Sequence, residues 1–181
     1  MKNKNIVLGI TGSIAAYKSA ELIRLFVRAG NTVIPVMTEN ACRFITPLTV
    51  QTLSKNKVYL DMFEPAADWD VEHVSIARSA DVLLIAPASA DVIAKFAAGI
   101  ADDALTTLAL AVECPIVICP AMNSAMYNNK ITRRNIENLK KLGYIFIGPE
   151  KGELACGGEG DGRMSEPKKI FSEIEKILSE K

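Results

Sequence analysis

The feature that most limits what this chain can fold into is its alternation of short apolar runs with longer stretches of helical period. Asn5 to Ile10, Thr32 to Met37, Val58 to Leu60, Asp81 to Ala86, Pro115 to Cys119 and Tyr144 to Ile147 each read as a strand. Between them, Ala15 to Ala29 (closed by Gly30), Pro47 to Leu53, Ala90 to Ala98, Asp102 to Val112 and Thr132 to Leu142 read as helices. A last helix, Pro167 to Leu178, carries proline in its first turn. Strands that alternate with helices are joined by right-handed crossovers, which predicts an α/β fold: a doubly wound, mostly parallel sheet with helices on both faces. At 181 residues the chain reads as one domain, 1–181. Two stretches read as irregular. One is Asp61 to Glu72; the other is Gly148 to Glu166, dense in glycine and long enough to suggest function.

Composition removes several classes of function. Lysine plus arginine number 21 and aspartate plus glutamate 21, so the chain lacks the basic surplus of a nucleic-acid binder. No apolar run approaches the length of about 20 residues that a membrane-spanning helix needs. The start, Met1-Lys2-Asn3-Lys4 before Ile6 to Leu8, has too short an apolar core for an export signal and reads as a buried first strand. The four cysteines (Cys42, Cys114, Cys119, Cys156) form no C-x-x-C pair, and there is one histidine, so neither structural zinc nor a disulfide scaffold fits and no metal site is expected. Free thiols without an export signal point to the cytoplasm.

In an open parallel sheet, ligands bind beyond the carboxyl ends of the strands. Strand one ends in Gly9-Ile10-Thr11-Gly12-Ser13-Ile14-Ala15-Ala16. Gly12 allows a tight turn, and backbone N–H groups at the following helix start suit a phosphate. The spacing is not that of a dinucleotide fingerprint, and Ser13 serving only as a helix cap is the competing reading. Thr38 follows strand two. Ser89, Ala90, Asp91 and Val92 follow Ala86-Pro87-Ala88, where small residues let a flat ring approach the backbone; Asn123 follows Pro120 on a turn, where it can bond its own backbone. Four such strand ends suggest a nucleotide-like ligand. His73, the sole histidine, is either a base that works near neutral pH or an exposed loop residue. Cys156, inside the glycine-rich stretch, is a better candidate for chemistry than Cys119, which reads as a small hydrophobe within a strand.

Taken in order, these segments resemble the phosphopantothenoylcysteine decarboxylase family of flavoproteins. The resemblance is carried by Thr11-Gly12-Ser13-Ile14-Ala15-Ala16-Tyr17-Lys18, Glu72-His73-Val74, Ala86-Pro87-Ala88-Ser89-Ala90-Asp91 and Gly99-Ile100-Ala101-Asp102-Asp103. It continues in Pro120-Ala121-Met122-Asn123-Ser124-Ala125-Met126-Tyr127, Leu154-Ala155-Cys156-Gly157 and Gly162-Arg163-Met164-Ser165-Glu166-Pro167. Two positions depart from the family: Asp91 stands where several relatives have Asn, and Tyr127 where many have Trp.

The resemblance implies an FMN-dependent enzyme of coenzyme A biosynthesis that converts 4′-phosphopantothenoylcysteine to 4′-phosphopantetheine and carbon dioxide. A cysteine carboxylate has no electron sink. Oxidation of its CH2–SH group to a thioaldehyde provides one, and the enethiol left after decarboxylation is then reduced. On this reading His73 is the base of the oxidative half, Asn123 holds the substrate carboxylate, and Cys156 donates a proton during re-reduction. Gly12, Ser13, Ile14, Thr38, Ser89, Ala90, Asp91 and Val92 fall on FMN-contacting segments; Met126 and Arg78 fall on substrate-contacting ones. The resemblance further implies a homotrimer or a multiple of it, and a phosphopantothenate–cysteine ligase either fused or separate, so that this chain is free-standing or a domain of a longer protein. Two other readings share the fold: a peptidyl-cysteine decarboxylase of the lantibiotic type, which would not need the Cys156 segment, and a non-catalytic flavin-binding regulatory subunit.

Overall fold

In the computed structural model, which describes residues 2–62, 72–153 and 159–179, the apolar runs form one parallel sheet. Its strands are β1 (Asn5–Ile10), β2 (Thr32–Met37), β3 (Val82–Ala88), β4 (Ile116–Pro120) and β5 (Ile145–Phe146), in the order β2-β1-β3-β4-β5. Every pairing among them is parallel. All of β3 is buried and β1 is buried after its first residue, as strands covered on both faces must be. Pro35, which lacks an N–H, falls on β2 at the sheet's edge.

The alternation of side chains along each strand feeds two aliphatic cores. Ile6, Leu8 and Ile10 point to one face, where they meet Leu22 and Phe26 of α1 (Tyr17–Arg28), Val50 of α2 (Pro47–Ser54) and Ile170 and Ile174 of α8 (Pro167–Ser179). Val7, Leu83 and Ile85 point to the other. There they meet α3 (Glu72–Ser79), α4 (Ala90–Ala98), α5 (Ala104–Ala111) and α7 (Lys130–Lys141) through Ile76, Ile93, Leu105 and Ile136. Between β1 and β3 the direction of winding reverses, and a crevice opens beyond the carboxyl ends of those strands.

The structure departs from the sequence reading in five places. The helix expected from Ala15 begins as a 3-10 turn, Ile14–Ala16, before α1 takes over at Tyr17. The strand expected at Val58 to Leu60 reduces to one bridge, Tyr59 against Val36, because β2 ends just beyond it. The end of the first irregular stretch is already helical: α3 starts at Glu72, so His73 lies in a helix. Residues 63–71 lie outside the described residues. Within the second irregular stretch, β6 (Glu150–Glu153) and β7 (Glu159–Arg163) pair antiparallel, and a short helix, α6 (Ser124–Asn128), precedes α7.

Candidate functional site

The loops that follow β1, β3 and β4 converge with β7 on one cleft of about 450 Å³, within the range of about 300–1,000 Å³ usual for ligand sites. Gly12, Ser13, Ile14 and Ala15 form one wall, Ser89 and Ala90 the floor beside it, and Ala121, Met122 and Asn123 the opposite wall. Gly162, Arg163 and Met164 close one side, and Tyr17, Lys18, Phe44 and Met126 complete the rim.

The junction of the first two loops is held by Thr11, which is 1% exposed. Its hydroxyl donates to the Pro87 carbonyl at 2.8 Å and accepts the Ser89 N–H at 2.9 Å, so one side chain fixes the β1 turn against the β3 turn. Gly12 is required where the next turn comes close, because a Cβ there would lie 2.7 Å from the Cβ of Asn40. The hydroxyl of Ser89 caps α4 by accepting the Val92 N–H at 3.3 Å, and that of Ser13 accepts the Ala15 N–H at 3.4 Å. Capping satisfies only part of each helix start, since the first N–H groups, those of Ile14, Ala90 and Asp91, have no partner within their own helix. Two sets of outward N–H groups therefore flank the crevice, an arrangement suited to an anion.

The sequence candidates divide accordingly. Gly12, Ser13, Ile14, Ser89, Ala90, Asn123 and Met126 meet at the cleft. Val92 does not: it is 2% exposed and packs in the core beside Ile93. The Asp91 carboxylate is directed along α4 toward Lys95, 3.8 Å away, so near the cleft Asp91 can offer its N–H rather than its side chain. Thr38 lies outside the cleft wall, where its hydroxyl caps the next turn by accepting the Ala41 N–H at 3.2 Å. Arg78, on α3, borders a separate cavity of about 360 Å³ with Glu113 and Cys114. Among the described residues, no cleft residue comes from α3, which packs on α5. The His73 side chain and all of Cys156 lie outside the described residues. Cys119 is fully buried in β4, and burial pushes its thiol far above the ordinary range, which leaves it inert. Among the described residues, no group of three His, Cys, Asp or Glu side chains could hold a metal ion.

Asn123 caps α6 through Oδ1, which accepts the Ala125 N–H at 2.8 Å. The group it can present to a carboxylate is then its NH2. The wall behind Asn123 depends on Gly162, whose carbonyl accepts the Met122 N–H at 3.0 Å. Gly162 has φ of +133°, and a Cβ there would lie 2.2 Å from the Met122 carbonyl oxygen. Gly162→Ala must therefore displace backbone. It is expected to cost about 1–3 kcal/mol of stability and, by shifting Asn123, to lower turnover by up to about 10²-fold. Thermal melts and steady-state rates on one preparation check both.

Several cleft residues did not stand out in the sequence as binding candidates. Lys18 is buried to 8% exposure although charged, and its ammonium donates to the Met164 carbonyl at 3.3 Å and to Glu166 at 3.1 Å. Arg163 also donates to Glu166. Both lie within quoted motifs, but only the fold brings together positions 148 residues apart. The Lys18 hydrogen bond, with help from the charges of Lys18 and Arg163 and against partial desolvation, holds the Glu166 carboxyl below its ordinary 4.5. A lowered carboxyl value means that this contribution to stability is complete above pH about 4.5 and is lost as pH falls through the depressed folded value. Because Glu166 is about half exposed, the contribution is on the order of 1 kcal/mol. Urea titrations at neutral and strongly acidic pH should show wild type more stable than Glu166→Gln at the first and equal to it at the second.

Comparison with known proteins gives this geometry its context. The family model described as "Flavoprotein" matches residues 1–179. This chain belongs to the flavoprotein family. It is 46% identical over 181 residues to the coenzyme A biosynthesis bifunctional protein CoaBC of Haemophilus influenzae, and 46% identical over 180 residues to that of Bacillus subtilis. It spans 45% and 44% of those proteins' lengths, respectively. Among solved structures, a cysteine-to-serine variant of PPC decarboxylase complexed with pantothenoylaminoethenethiol matches with a TM-score of 0.89 at 33% identity, covering 98% of this chain and all of the other. The FMN-dependent cysteine decarboxylase SpaF matches at 0.82 with 31% identity, covering 98% of this chain and 96% of its own. Among the described residues, no helix is long and apolar enough to cross a membrane.

Proposed function

We propose that this chain is an FMN-dependent decarboxylase that converts 4′-phosphopantothenoylcysteine to 4′-phosphopantetheine and carbon dioxide in coenzyme A biosynthesis. The observation that carries the reading is that Gly12, Ser13, Ser89 and Asn123, from three separate strand ends, line one cleft at the point where the sheet's winding reverses. Flavin-binding folds with this strand order hold FMN at that point. The residues present fit it. The N–H groups of Ile14, Ala90 and Asp91 suit its phosphate, and the apolar wall of Ile14, Ala15, Ala121 and Met122 suits its ring.

When bound, FMN supplies reversible hydride transfer, which makes a redox-neutral decarboxylation feasible. The chain supplies the proton handling and the orientation. His73 takes the proton released as the CH2–SH group is oxidised. Asn123 holds the carboxylate by a neutral N–H donor, so that the departing group is oriented without an ion pair that would favour the ground state. Cys156 returns a proton as the enethiol is reduced, a role its S–H group can fill as a donor.

Each active site is completed by a second copy, within a homotrimer or a multiple of it. The support is twofold. Among the described residues, the helix bearing His73 contributes nothing to its own chain's cleft. In addition, Ile14 (57%), Tyr17 (62%) and Met126 (50%) leave an exposed apolar rim around that cleft which a neighbouring copy would cover. The likeness to the bifunctional protein CoaBC supports a fused or separate ligase that makes the substrate; a cytoplasmic location belongs to the same reading. The purified chain is expected to be yellow, with one FMN per chain, and to release carbon dioxide from 4′-phosphopantothenoylcysteine far faster than from a peptide ending in cysteine. A colourless chain that takes up no added FMN, or preferential turnover of the peptide, would overturn the reading.

A further inference from the structure

We infer that Arg163 is the residue that selects for a phosphate on the far end of the substrate, an assignment that rests on the decarboxylase reading above. The starting point is a charge imbalance at the rim of the cleft. Lys18 and Arg163 line the cleft there, and one carboxylate, Glu166, serves both: Lys18 at 3.1 Å, and Arg163. Within this group of three, one positive charge is in excess.

Exposure decides where that excess resides. The Lys18 side chain is 9% exposed, and a buried ammonium deprived of its carboxylate is strongly disfavoured, so Glu166 belongs to Lys18. The Arg163 side chain is 42% exposed and lines the cleft. Its guanidinium has five N–H donors in a planar fork that matches two oxygens of a phosphate, and Glu166 can occupy only part of it. The cation that can turn to an incoming anion is therefore Arg163.

Position and energetics favour the substrate's phosphate over its carboxylate as the partner. Arg163 follows Gly162, whose carbonyl ties β7 to Met122, the neighbour of Asn123. The Arg163 side chain extends over β6 of the hairpin, where a Cβ at Gly152 would lie 3.1 Å from its guanidinium, and so places its charge beyond the strand that contacts Met122. A strong cationic grip on the carboxylate would stabilise the ground state of a group that must leave as neutral carbon dioxide, whereas a grip on the unreactive phosphate strengthens binding in ground and transition states alike. The strong cation therefore belongs at the remote end. The flavin carries a phosphate monoester too, so the test must separate the two.

The test compares 4′-phosphopantothenoylcysteine with pantothenoylcysteine, its dephosphorylated form, in the flavin-loaded wild-type protein, in Arg163→Gln and in Arg163→Lys. The wild type is expected to prefer the phosphorylated substrate through KM. Arg163→Gln should lower the ratio of the two kcat/KM values by about 10-fold or more, and Arg163→Lys should restore part of it. A parallel titration of 4′-phosphopantetheine and pantetheine by calorimetry, which needs no turnover, should show the same preference and its loss. If neither substrate is turned over, the decarboxylase reading has failed, and the titration still decides what Arg163 does. Three results would overturn the inference. One is an unchanged ratio, with both substrates affected alike, as a purely structural role in the hairpin would give. Another is equal binding of the two pantetheines by wild type. The third is loss of flavin absorbance from Arg163→Gln, which would assign Arg163 to the cofactor's phosphate.

Discussion

His73→Asn is expected to slow the bleaching of the flavin by substrate about 10²- to 10⁴-fold, the usual effect of losing a general base. Asparagine keeps a small, neutral, planar group at the position but has no basic nitrogen. His73 is the chain's only histidine, so no neighbouring imidazole can replace it. Stopped-flow absorbance measures the effect, and near-normal bleaching in the variant would remove His73 from the mechanism. The described residues of α3 do not line the cleft, which adds a stronger test. If His73 acts on a neighbour's cleft, oligomers reassembled from equal amounts of His73→Asn and Cys156→Ser chains should regain about a quarter of wild-type sites, since each site draws two chains at random. No recovery would place His73 in the cleft of its own chain.

What could be read from the sequence follows the physics that each segment depends on. β1 and β3 were legible because strands buried on both faces need uninterrupted apolar residues, and nothing else of that length fits Asn5–Ile10. Turn chemistry marked Gly12, Ser13 and Ser89 equally well, and these residues do line the cleft. The hairpin of β6 and β7 was not legible. Its strand Glu159–Arg163 reads EGDGR, with no apolar alternation, and its order comes from backbone pairing and from anchors such as the Ser124 hydroxyl donating to the Asp161 carbonyl. Helix α3 was hidden for a related reason: among its described side chains, 74–79, only Ile76 and Ala77 are buried, too few for a clear period.

The binding candidates show the same division. A sequence window indicates that Val92 and Ser89 are close, yet not that Val92 turns into the core while Ser89 faces the crevice. Lys18 and Glu166 illustrate the other kind of failure. Each reads alone as a surface charge, and their hydrogen bond exists only because α1 and the segment before α8 pack side by side. Long-range pairings of this kind carry no local signal, and here they set the electrostatics of the cleft rim.

Cys156→Ser is expected to change the product rather than merely slow the reaction. If Cys156 acts only in the reductive half, oxidation and loss of carbon dioxide should proceed at near-normal rates in the variant. Serine is close in size to cysteine, but its hydroxyl is a far weaker acid than a thiol, so the enethiol cannot receive its proton as hydride returns. The variant should release carbon dioxide, keep the flavin band bleached in the absence of oxygen, and yield a product two hydrogens lighter than 4′-phosphopantetheine. The competing role for Cys156, mere packing of the glycine-rich stretch, makes a different prediction. Serine would then slow all steps in proportion, and the product would stay saturated. Mass spectrometry of an anaerobic single turnover separates the two outcomes, because the proton-donor role requires the unsaturated product to dominate and the packing role never forms it. Supplying an external thiol acid at high concentration should then restore part of the saturated product in the variant, which a packing defect would not allow.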